Sequence, residues 1–160
     1  YRAALAIYED LAARDPTRTG WQVRLAICHQ SLGKIHWQQA KTPAALESYL
    51  QERALRKRLA ESDTTNLAAQ NQLSWNHLVV GRLFAQRGES ENARREWLRA
   101  LEIIEPISAR SDAAVFLDTH AQALLELGRT SEAAPLVEEL VTRGWADPEF
   151  LRLARRVDLL

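Results

Sequence analysis

Residues 73–101 read LSWNHLVVGRLFAQRGESENARREWLRAL, and this stretch decides the fold. Leu73, Val80 and Phe84 recur at helical spacing up to Gly88, and Ala93, Trp97, Leu98 and Leu101 resume the same period beyond it. The pattern predicts two amphipathic helices joined at a glycine turn. Sliding the chain on itself by 48 residues repeats it: Asp15 falls on Asp63, Leu25 on Leu73, His29 on His77, Gly33 on Gly81, Ala45 on Ala93 and Leu50 on Leu98. Tyr1, Tyr49 and Trp97 form an aromatic column at the same interval. A third unit follows after 40 residues, with Gly88 mapping onto Gly128 and Ala93 onto Ala133.

Apolar positions keep helical spacing in every unit. Leu25, Leu32 and Ile35 mark the first, and Leu117, Leu124 and Leu127 the third. Second helices follow at Ala45, Leu46, Tyr49 and Leu50 and at Ala133, Leu136, Val137 and Leu140. No segment alternates as a half-buried strand does, so the expected class is all-α. Gly88 and Gly128 are expected at turns needing a left-handed residue. Thr42 before Pro43, Ser90 and Ser131 are expected to cap second helices, Pro106 to end one, and Asp147-Pro148-Glu149 to start a closing helix.

These residues resemble the tetratricopeptide repeat, a helix–turn–helix of roughly 34 residues. Gly81, Phe84, Gly88, Ala93, Trp97 and Ala100 stand at that family's spacing of small and large residues. The first unit keeps Gly33, Ala45 and Tyr49 but has His36 and Ala40 for the aromatic and the turn glycine. The third keeps Gly128, Ala133, Ala121, Leu124 and Leu127. A period 14 residues longer than usual is read as about two extra turns in each helix; another helical-hairpin solenoid is the alternative. The resemblance implies a right-handed superhelix of antiparallel hairpins over residues 1–160. Its expected parts are the tail helix of a preceding repeat (1–14), repeats at 20–60, 66–106 and 112–143, and a capping helix at 147–156. The segment LAARDPTRTGWQVRLAICHQSLG and the chain's ending also look like repeats carried C-terminally by bacterial signalling proteins, serine/threonine kinases among them. No kinase signature is present in the sequence itself.

The totals fit a protein-binding scaffold. The chain has 160 residues, 46% of them hydrophobic and 26% charged, and its 21 basic and 21 acidic residues cancel. That balance counts against a nucleic-acid partner. No apolar run approaches the roughly 18 residues of a membrane span, and no signal peptide is visible. With the single Cys28, this makes the cytoplasm the expected compartment. The opening, which reads as mid-helix and lacks methionine, suggests a piece of a longer protein.

No catalytic, metal or cofactor set emerges, and the expectation is not an enzyme. His29 and His77 share a repeat position, which suggests a shared packing or hydrogen-bonding role, and His36 has no acidic partner at metal spacing. Cys28 is expected to be buried, and Glu132, Glu138 and Glu139 to form a solvated face. The run Arg53–Arg58 is read as a cationic helix end balanced by Glu52 and Glu61 rather than as a phosphate patch. Of the five tryptophans, Trp97 is assigned to the core, and Trp37 and Trp75 are candidates for a contact surface.

The family's groove-facing column falls on Ile27, Gln30, Lys34, Trp37 and Gln38 in the first unit. It falls on Trp75, Leu78, Arg82 and Gln86 in the second, and on Val115, Asp118, Gln122 and Glu126 in the third. Gln30, Lys34, Trp37, Trp75, Leu78, Arg82, Gln86 and Gln122 are the expected partner-binding residues. The implied partner is a protein or peptide, including other domains of the same full-length chain. The family's carboxylate clamp is incomplete, with Gln30, Lys34, Leu78 and Arg82 at its positions. The competing expectation is a structural array that self-associates through the exposed edge of the helix at 1–13.

Overall fold

The computed structural model describes residues 2–15 and 17–160; Tyr1, first of the aromatic column, lies outside them. Among the described residues eight helices follow in order: α1 (Arg2–Arg14), α2 (Thr19–Gln38), α3 (Thr42–Ser62), α4 (Leu67–Gln86), α5 (Ser90–Ser108), α6 (Ala114–Glu126), α7 (Thr130–Thr142) and α8 (Pro148–Arg156). Among the described residues there is no strand. The long period resides in the helices, which have 20, 21, 20 and 19 residues from α2 to α5 against 13 each in α6 and α7. Aligned at Gly88 and Gly128, the extra residues fall at the start of α4 and the end of α5, away from the turn. No helix among the described residues is long and apolar enough to cross a membrane.

The turns share one geometry. After α4, Gly88 takes φ 76°, its N–H reaches the Ala85 carbonyl, and the Glu89 N–H reaches back to Phe84. Gly128 (φ 73°) repeats this with Leu125 and, through Arg129, Leu124. Ala40 does the same without being glycine, at φ 57°, with bonds to Trp37 and, through Lys41, His36. The six-residue return bond and the left-handed residue define a Schellman ending, which satisfies carbonyls the helix would otherwise leave open.

That ending overturns the expected caps. α3, α5 and α7 begin with no side-chain cap bond, at Lys41, Glu89 and Arg129, each one residue past the left-handed position. Thr42, Ser90 and Ser131 already lie inside their helices, because the Schellman turn feeds the next helix so directly that no hydroxyl is left at the capping position. True side-chain caps occur where the connection is looser. Asn66 accepts from the Ala69 N–H at 3.0 Å, and Asp147 accepts from Glu149 and Phe150 at 3.0 and 2.9 Å. Pro106 does not end α5, which runs two residues further to Ser108. So close to the terminus its missing N–H costs one bond and leaves nothing downstream to kink.

Each helix packs on its chain neighbour from α1 to α7, α4 also meets α6, and α8 lies against α6. Small-against-large pairs set the approach within units. A Cβ on Gly81 would sit 2.3 Å from Trp97 Nε1, and one on Gly33 would sit 2.8 Å from Tyr49 Cε2. Leu78, Ile104, Leu125, Leu140 and Phe150 belong to a continuous apolar cluster spanning α4 to α8. A smaller cluster holds Ala45, Leu46, Tyr49, Val79, Val80 and Leu83, with Trp37, Trp75 and Phe84 packed on it. Each fully buried large apolar side chain contributes roughly 1.5–3 kcal/mol.

Candidate functional site

A hollow of about 430 Å³ opens where α2, α4, α6 and the start of α8 converge. α2 supplies Lys34, Trp37 and Gln38, α4 supplies Trp75, Val79 and Arg82, and α6 supplies Asp118 and Gln122. These are first helices of successive units, and spacing of three or four residues puts each set on one helical face. Tyr49 of α3 forms part of the wall, its ring 6.4 Å from that of Trp75 and edge-on to it. Trp37 ties the helices together, its indole N–H donating to Gln86 Oε1 of α4 at 2.9 Å.

Of the residues the sequence singled out, Lys34, Trp37, Trp75, Arg82 and Gln122 line this one hollow. Gln30 lines an adjoining depression that shares Lys34, Tyr49 and Trp75. Gln86 lines another, shared with Trp37, Arg82 and Glu126. Leu78 does not belong: it is fully buried in the large apolar cluster, on the face of α4 turned to α5 and α6. Ile27 and Val115 are exposed but lie outside the hollow.

Arg82 and Gln122 are present as wall rather than as free hands, with 7% and 2% exposure. The Arg82 guanidinium donates to Glu126 at 2.6 Å and to Gln122 at 2.7 Å, and lies 3.4 Å from Glu149. Gln122 in turn donates to both oxygens of Asp118 at 3.0 Å. Burial pushes the Asp118 carboxyl up to about 6, with nearby Asp147 adding to the rise and the Gln122 bond and Arg82 opposing it.

Asp147, Pro148 and Glu149 close the hollow beside α6, a part that the repeat pattern did not anticipate. Their signal was present as the start of a closing helix, but nothing in a local pattern tells which face that helix covers. Phe150 and Leu153, both fully buried, fix it against α6.

A second hollow, of about 780 Å³, lies where α3, α4 and α5 meet. There His77 Nδ1 is 2.7 Å from Glu96 Oε2, and Arg53 donates to Glu96 at 3.0 Å. Burial raises the Glu96 carboxyl, but the bonds from His77 and Arg53 outweigh it and hold the group below its ordinary value. The lining offers an oriented imidazole and no serine, threonine or cysteine. The carboxylate partner of His77 has no counterpart for His29. The residue 48 before Glu96 is Ser48, whose hydroxyl bonds the Ala44 carbonyl of its own helix.

The Arg53–Arg58 run is largely consumed internally. Arg56 pairs with fully buried Glu52 at 3.1 Å, Arg53 bonds Asn76 at 3.1 Å, and Lys57 is 3.8 Å from Glu61. Glu52 and Glu61 thus balance the run as expected, while Arg53 leaves the helix end to bond α4 and Arg56 is buried with Glu52. Cys28 is buried as expected. Among the described residues no group of three or more histidine, cysteine or acidic side chains stands close enough to hold a metal.

The chain matches no protein-family model, no curated protein and no solved structure. Its site has to be read from its own geometry.

Proposed function

We propose that this chain is a protein-interaction module of tetratricopeptide type, a superhelix of hairpins that docks a partner peptide or helix on the face formed by its first helices. The carrying observation is the hollow of about 430 Å³, in which aromatic residues of α2, α3 and α4 stand beside polar groups of α6 and α8. Concave sites with aromatic anchors and a few convergent polar groups are the usual form of a peptide-binding face. The depressions at Gln30 and Gln86 share residues with it, so a ligand has a path longer than one pocket. In this reading the module belongs to a larger cytoplasmic bacterial signalling protein and recruits a partner or one of that protein's own domains, without catalysing a reaction or binding nucleic acid.

Selection of a random peptide library on the immobilised chain tests this. Enriched peptides are expected to bind at least about tenfold more weakly to Trp37→Ala/Trp75→Ala, a loss of about 1.4 kcal/mol. Circular dichroism establishes that the variant remains helical. No enrichment, or equal binding to a folded variant, would overturn the reading.

A further inference from the structure

The acidic side of the hollow is electrostatically incomplete. Asp118 is only 6% exposed, yet at full hydrogen-bond distance its two oxygens accept from a single amide nitrogen, Gln122 Nε2, with the Trp145 indole as a further donor beside them. Asp147 spends Oδ1 on the N–H groups of Glu149 and Phe150. Among the described residues neither carboxylate takes part in an ion pair, although each is close enough to feel the other. Arg82, the cation nearest at hand, is already committed to Glu126, Gln122 and Glu149. Lys34 stands exposed on α2, at the side the hollow shares with Gln30. A buried carboxylate facing a second one is costly as an anion, and a cation that joins it lowers that cost.

Resting on the docking reading above, we propose that the hollow receives a cationic side chain, Lys or Arg, of the partner polypeptide. Its aliphatic stem lies against Tyr49, Trp75 and Val79, and its charged head sits beside Asp118 and Asp147. Two forces favour this occupant over a neutral one of the same shape. The aromatic wall attracts a cation through its ring faces and accepts an apolar stem equally well. The two carboxylates supply the charge-assisted acceptors that Lys34 and Arg82 leave unused.

The arrangement also fixes how binding depends on pH. The groups facing Asp118 are Gln122 of its own helix, the Trp145 indole, Arg82 of α4, Asp147 and Glu149 at the start of α8, and Lys34 across the hollow. No histidine lines the site, so a change between pH 5 and 7 traces to Asp118, whose carboxyl titrates at about 6. A cation is therefore held several-fold more tightly at pH 7 than at pH 5.

The test follows the tryptophan indole N–H signals of the ¹⁵N-labelled chain by NMR. The probes are Nα-acetyl-lysine methylamide and its arginine, norleucine and glutamate counterparts. The Trp75 signal is expected to shift saturably with the lysine and arginine probes, and about tenfold more weakly with norleucine. Asp118→Asn/Asp147→Asn should then bind the lysine and norleucine probes alike and lose the pH dependence. Asparagine keeps both the helix cap and an acceptor for Gln122, and the single Asp147→Asn variant serves if the double one is not helical. Equal lysine and norleucine affinity, preference for glutamate, or an unchanged folded variant would overturn the proposal. If library peptides still depend on Trp37 and Trp75 while lysine shows no preference, the charge assignment falls and the docking face stands. If neither binds, both fall.

Discussion

The seam between α3 and α4 and the seam between α5 and α6 occupy the same place in successive units, yet they are built from opposite chemistry. At the first, Glu52, Arg53 and Arg56 face Asn76 and His77, and Glu96 closes the set from α5. At the second, the corresponding residues are Ala100, Leu101, Ile104, Phe116, Leu117 and Leu136, all within the large apolar cluster or packed on it. Backbone register is common to both, so the repeat does not require either solution. The polar seam has many partners to satisfy at once. Asn76 Nδ2 alone donates to the Tyr49 carbonyl at 2.9 Å and to Glu52 at 3.0 Å, which permits one relative placement of α3 and α4. The apolar seam tolerates sliding but adds burial that the polar one forgoes.

The largest expected effect comes from breaking the polar seam at one point. Glu52 is fully buried, and burial raises its carboxyl while Arg56 and Asn76 oppose the rise. Glu52→Leu leaves buried Arg56 without its carboxylate and Asn76 without one of its two acceptors, and should cost about 3–5 kcal/mol in urea denaturation. Grafting the whole second seam onto the first, with Glu52→Ala, Arg53→Leu, Arg56→Ile, Asn76→Phe, His77→Leu and Glu96→Leu together, should restore stability at least to the starting value. A graft as unstable as the single variant would show that these positions are not equivalent.

The apolar half buries a charged side chain at Asp118, which stands where the second unit has buried Leu78. Its carboxyl titrates at about 6 in the folded chain, above the ordinary 3.8, so the folded state binds the proton more tightly than the unfolded one. Stability from this group is complete below the unfolded value and declines as pH rises through the folded one, by up to about 3 kcal/mol across pH 4 to 6. Asp118→Asn should flatten the stability profile in that window and be the more stable chain at pH 7. A profile that the substitution leaves unaltered would rule out Asp118 as the source.

Much of this was legible before any coordinates. Gly33, Gly81, Gly88 and Gly128 announced close approaches and turns, because those backbone demands are local and few other residues meet them. The face carrying Lys34, Trp37, Trp75 and Arg82 followed from the groove column of the family that the repeats resemble. Three features did not follow. The polar seam was hidden because Arg53 sits in what looks like a cationic helix end, and its partners Asn76 and Glu96 are 23 and 43 residues away. Leu78 was placed in the groove because a family column was carried over by position, whereas that residue is buried in the apolar cluster with residues of α5 and α6. The start of α8 completes the hollow through tertiary packing, which no local period records.

Within the units, the comparison sharpens at Gly81. The third unit holds Ala121 and Val137 where the second has Gly81 and Trp97, exchanging a small–large pair for two of intermediate size. Gly81→Ala places a methyl 2.3 Å from Trp97 Nε1 and should destabilise by about 1–3 kcal/mol. Adding Trp97→Val should recover part of that loss, since it recreates the third unit's pair. Thermal melting of the two variants decides the point, and a double variant less stable than Gly81→Ala would mean the pairs are not interchangeable.

The smallest effect concerns the turns, where Ala40 and Gly88 do the same task with different residues. Both stand at left-handed φ, 57° and 76°, and both close a six-residue return bond. A Cβ in that conformation costs about 1–2 kcal/mol, whereas glycine loses more chain entropy on folding, by about 0.5–1 kcal/mol. The first term is the larger, so Ala40→Gly should stabilise by about 0.5–1 kcal/mol, or about 2 °C in melting temperature. Gly88→Ala should lose a similar amount, because a Cβ there meets nothing within 4 Å and the conformation alone is strained. Opposite signs of similar size would establish the two turns as one device. If Ala40→Gly instead lowers the melting temperature, the neighbouring contacts of the first turn, rather than its backbone, set its stability.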